Sequence, residues 1–135
     1  MQQETKEKEM VVITPEALLD HWQGHRRLTR KMIGAFPEKE FFTYSIGGMR
    51  PFAEMVMEFI GLAHPGIMGV ATGKWPKVSE LEYHSKTPKQ RNQQEILQLW
   101  DDLTNLIDTL WAQIPPHRFQ EIDMASVSMK GKFLV

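Results

Sequence analysis

The sequence contains no cysteine, which excludes disulfides, thiolate metal ligation and a cysteine nucleophile together. It has no surplus of base either. Its 16 Lys and Arg against 17 Asp and Glu leave a formal charge of −1, where a generic nucleic-acid binder carries a basic excess. Long apolar runs are also lacking. The most apolar stretch, Phe52 to Ala63, is interrupted by Glu54 and Glu58 and is too short to cross a bilayer. The charged start, MQQETKEKEM, has no apolar segment behind it and does not read as a secretory signal. These features point to a cytoplasmic protein that engages neither membrane nor nucleic acid.

What is present suits one globular domain. The 135 residues are 41% hydrophobic and 24% charged, enough for a modest core and outside the range of disordered chains. Nine Met and four Trp can fill irregular gaps between helices. The Met are scattered at helical spacing, which argues against a Met-rich copper site.

Residues 1–13 read as a frayed charged tail. Thr14 then offers a hydroxyl cap, Pro15 suits the first helical position, and Glu16 favours the positive end of the helix dipole. Leu18, Trp22, His25, Thr29, Met32 and Phe36 recur at intervals of four and three, one apolar stripe widened by Leu19, Leu28 and Ile33. Gln23, Arg27, Arg30 and Lys31 are assigned to the opposite, solvated face. Gly34 and Pro37 end this helix. In the connector that follows, Phe41, Phe42, Tyr44 and Ile46 are expected to fold over the bundle end, with a short strand as the weaker alternative.

Pro51 opens a second helix to about Ala63, stopped by His64 and Pro65. It is apolar nearly all round and is expected to be central and largely buried. Pro65 to Pro76, with three glycines, reads as a loop holding at most one helical turn. Its Gly73-Lys74-Trp75 is not a phosphate loop: the glycine spacing is short, and Trp75 stands where a hydroxyl would hold magnesium. Thr87, Pro88 and Gln90 form a helix start. Ile96, Trp100, Leu103, Ile107, Leu110 and Ile114 then make the longest stripe in the chain, ended by Pro115 and Pro116. Three amphipathic helices without a strand set predict an all-α antiparallel bundle. The tail after His117 shows no sustained period, so a fourth helix is missing.

Few residues invite chemistry. His21 and His25 have the i, i+4 spacing at which two imidazoles can share a metal, although the glutamate of a zinc-protease motif is lacking. Against that stands a plain histidine pair at the edge of a core. Glu58 lies mid-helix; facing inward it would need a cation, whereas Glu54 and Glu58 together, four apart, would mark that helix's one wet face. His64, His84 and His117 fall at loops or ends and read as solvated. No serine triad is visible.

The segments LLDHWQGHRRLTRKMIGAFPEKEFF, SIGGMRPFAEMVMEFIGLA and WAQIPPHRF, in that order along helices one to three, resemble the DinB-like family. The resemblance covers Ala17 to Met124 and implies a four-helix bundle of up-down-down-up type around a divalent metal, with some relatives acting as thiol-S-transferases or metal-dependent hydrolases on small molecules. The resemblance places a ligand for zinc, nickel or manganese at Glu58, and His25, if it points toward the same cavity, is expected to support a ligand from behind or to substitute for one. It divides the chain into a tail (1–13), an incomplete bundle domain (14–124) and an irregular end (125–135). In the family, the remaining ligands come from the fourth helix. The codons for Ser126 to Phe133 can be chosen so that reading from the preceding base gives FGQYEGKV, closer to the family's usual approach to that helix; a one-base deletion near Ala125 would account for the short tail. Metal binding by the chain as given is then expected to be weak or lacking. The competing expectation is a non-catalytic helical module that forms a homodimer through the apolar flank where the fourth helix would dock.

Overall fold

The computed structural model describes residues 12–76 and 91–121. Four α-helices account for most of them, and among the described residues there is no strand. The elements are α1 (Pro15–Ala35), a short α2 (Glu38–Thr43), α3 (Phe52–Thr72) and α4 (Gln93–Trp111), followed by a 3-10 turn over Pro116–Gln120. The chain is all-α, a helical bundle.

The start of α1 is the one its residues specify. The Thr14 hydroxyl accepts from the Ala17 amide at 3.1 Å, and Pro15 occupies the first turn. α4 begins later than the Thr87–Pro88–Gln90 signal, which lies outside the described residues. Asn92 caps it instead: its side chain accepts from the Glu95 amide at 2.8 Å, and Glu95 reaches back to the Asn92 amide. This reciprocal arrangement satisfies two otherwise orphaned amides.

Hydrogen bonds fix the directions of the helices. At one end, Gln93 Nε2 donates to the carbonyls of Ile33 and Phe36 at 2.6 and 2.7 Å, clamping the start of α4 to the end of α1. At the other, Trp111 Nε1 donates to the Pro15 carbonyl at 3.1 Å. α1 and α4 are therefore antiparallel. α3 starts beside the end of α1, where Phe52 stacks on Phe36 with ring centroids 5.2 Å apart. It finishes beside the residues after α4, where Arg118 donates to the Val70 and Gly69 carbonyls at 3.0 and 3.1 Å. α3 and α4 thus run parallel, both opposed to α1, and α4 packs against each of the other two.

The core forms where these helices meet. Ile33, Phe41, Val56, Ile60, Ile96 and Ile107 are fully buried, with Trp100, Leu103 and Ile114 beside them. The α4 stripe is as its spacing predicts, although the helix closes at Trp111 and Ile114 is carried inward by the turn that follows.

Several expectations are corrected. α2 is a helical turn, not a strand; it buries Phe41 and half-buries Phe42, while Tyr44 and Ile46 are left exposed. α3 does not stop at His64 and Pro65 but runs on through the proline to Thr72. A proline only removes one amide donor and crowds one preceding carbonyl; packing of Ile67 in the core and Arg118 on the last carbonyls holds the second half helical. The true stop is Gly73, at φ +76°, whose amide bonds back to the Gly69 carbonyl at 2.8 Å. The segment read as a loop is therefore largely helix, and His64 lies half-buried within it. At 21 residues, α3 is long and apolar enough to cross a membrane by length and composition. It is also not the largely buried helix its composition predicts: Phe59 is 44% and Leu62 60% exposed. The irregular tail expected over 125–135 lies outside the described residues.

Candidate functional site

α1 carries two apolar rows, and the structure covers only one. The row facing α4 includes Trp22, Ile33, Arg26 and, against the reading of the sequence, Gln23. Gln23 Nε2 donates to the Thr104 carbonyl and to Asp108 Oδ1, both at 3.1 Å. Arg26 Nη2 donates to the Trp100 carbonyl at 3.1 Å and to Thr104 Oγ1 at 3.0 Å, and its guanidinium lies 4.2 Å from the centre of the Trp100 ring. Trp100 Nε1 returns a bond to the Arg26 carbonyl. Burial pushes the Arg26 pKa down to about 10, with the charge of Asp101 opposing. The placement of Gln23 on a solvated face is thus overturned, because α4 offers acceptors and a ring along that line.

The second row of α1 is open. Leu18, His21, His25, Leu28 and Met32 recur at intervals of three, four, three and four, a spacing that keeps one seam along a helix. All five are exposed, Leu28 at 58% and Met32 at 53%. His25 is consequently not part of the covered stripe on which it was expected. Its ring stands edge-on to that of His21, with centroids 4.6 Å apart. Beside the seam, Gly24 leaves the backbone bare: a Cβ there would meet only Arg27 Nη2, at 3.6 Å. A second open patch lies on α3, where Phe59 and Leu62 are exposed and Met55, four residues before Phe59, is half-buried.

Glu58 does not face the core. Its Oε2 pairs with Arg50 Nη2 at 2.5 Å in a partly exposed position, which makes it the wet edge of α3. Among the described residues, no group of three or more His, Asp or Glu side chains converges as a metal cluster would require. Glu58 and His25 belong to different helices, each with its own neighbour: Arg50 for the first and His21 for the second.

One open cleft of about 580 Å³ lies at the end of the bundle where α1 begins and α4 finishes. Trp111 and Phe119 form its apolar side, and Glu16, Asp20 and Asp108 its acidic side. Asp108 is already engaged by Gln23. Sequence reasoning did not find this cleft, because its walls come from residues about 100 positions apart.

No family model matches the chain, and no curated protein matches it at a significant level.

Proposed function

We propose that this chain is a helical association module, which pairs with a second copy of itself through the open seam of α1. The observation that carries the reading is the exposure of Leu28 and Met32 on a helix whose other apolar row is already packed. Contiguous exposed apolar surface of this kind marks an interaction site.

The order of residues along the seam selects a second copy in antiparallel register, because Leu18, His21, His25 and Leu28 read the same in both directions. Two copies opposed about the level of Gln23 would set Leu18 of one against Leu28 of the other. An interface made from one surface twice is the usual basis of a two-fold dimer. The patch on α3, with Phe59 and Leu62, has no such symmetry.

Sedimentation velocity of the full chain in EDTA, over a hundredfold concentration range, tests the reading. A concentration-dependent dimer that Leu28→Glu dissociates is the expected result. A parent chain that stays monomeric throughout overturns it.

A further inference from the structure

We propose that the same seam forms a four-imidazole site for a divalent ion of the zinc type, with His21 and His25 from each of two chains as ligands. This deepens the association reading and rests on it.

Within one chain the two histidines are a half-site. They are exposed, one helical turn apart, with ring centroids separated by 4.6 Å. Two imidazoles bound tetrahedrally at the usual Zn–N length of about 2 Å have centroids roughly 5 Å apart, so a small side-chain adjustment brings both nitrogens onto one ion. Two ligands do not make a structural zinc site, which takes four. No further His, Asp or Glu of the same chain joins them among the described residues.

The antiparallel register supplies the rest. With Leu18 against Leu28 of the second copy, His21 falls against His25, and all four imidazoles gather at the centre of the interface. Gly24 lies at the edge of that centre, where the lack of a side chain lets the helix backbones approach. Imidazole is a good ligand for zinc and for its neighbours in the first transition row, and the neutral ring is the form that binds. An ion held by both chains would link their association to its concentration. Glu58 takes no part, so of the two positions named with the family resemblance this site uses only His25.

The test is sedimentation velocity of the full chain in EDTA and then in zinc chloride, with zinc stoichiometry measured by competition with a chromophoric chelator. Cobalt(II) substitution supplies a spectroscopic readout. The proposal expects one zinc per two chains, a dimer dissociation constant at least tenfold lower with zinc, and the intense visible bands of tetrahedral cobalt. The double variant His21→Ala/His25→Ala should associate in EDTA but lose the zinc response. Zinc bound one to one on a monomer overturns the shared site, as does an unchanged zinc response in the double variant. A parent that dimerises in EDTA and ignores zinc overturns the metal site alone. A chain monomeric in both conditions overturns the site and the association reading together.

Discussion

Arg26 gives the sharpest test of how this bundle is held together. Its guanidinium is buried among Trp100 and Thr104, and burial lowers its pKa to about 10. Keeping it charged at neutral pH therefore carries a desolvation cost, part of which the charge of Asp101 offsets. Against this stand two charge-assisted hydrogen bonds and the ring face of Trp100, worth in sum a similar amount. The near balance predicts that Arg26→Met, which keeps most of the volume and removes the charge, changes stability by less than about 1 kcal/mol. Arg26→Ala removes the same bonds and also opens a cavity over Trp100, so it should cost about 3 kcal/mol. Urea unfolding followed by tryptophan fluorescence measures both. Equal losses for Met and Ala would mean that the hydrogen bonds outweigh the desolvation penalty, and the reasoning would fail. Linkage offers a second check. The folded state holds this proton less firmly than the unfolded chain does, so the penalty is fully present below pH 10 and fades as pH rises above it, towards the ordinary guanidinium range.

Three further outcomes follow from particular contacts. Asp101 is held below its usual carboxylate pKa by the hydrogen bond from Arg30, so its contribution is present above pH 3.8 and lost as pH falls through the lower folded value; Asp101→Asn should differ from the parent at pH 6 and converge with it in acid unfolding. A Cβ at Gly69 would lie 2.0 Å from the Trp75 ring, so Gly69→Ala must displace that ring and redshift its fluorescence; an unchanged emission spectrum would contradict the packing. Glu58→Ala breaks the exposed pair with Arg50 and nothing buried, so its urea midpoint should match the parent's, and its zinc stoichiometry should also be unaltered.

Much of the architecture is written along the chain. The stripe from Ile96 to Ile107 reads as an α-helix because every member recurs at helical spacing and no breaker interrupts it, and the Thr14 cap with Pro15 in the first turn starts α1 where it does begin. Local signals misled where tertiary packing outweighed them. Pro65 carries a strong stop signal, yet α3 passes through it and ends at Gly73. Asn92, an ordinary asparagine between polar neighbours, proved to be the cap of α4 because Glu95 answers it.

The sequence by itself determined that α1 would be amphipathic; only the tertiary structure decided which of its rows is covered. Trp22–Ile33 and Leu18–Leu28–Met32 obey the same period, so spacing cannot rank them. What ranks them is α4, whose Trp100 and Thr104 present a ring, a hydroxyl and carbonyls at the height of Gln23 and Arg26. A polar side chain is buried where partners wait for it, and those partners lie more than 70 residues away. Once α4 has taken that side, His21 and His25 are turned outward with the apolar residues around them.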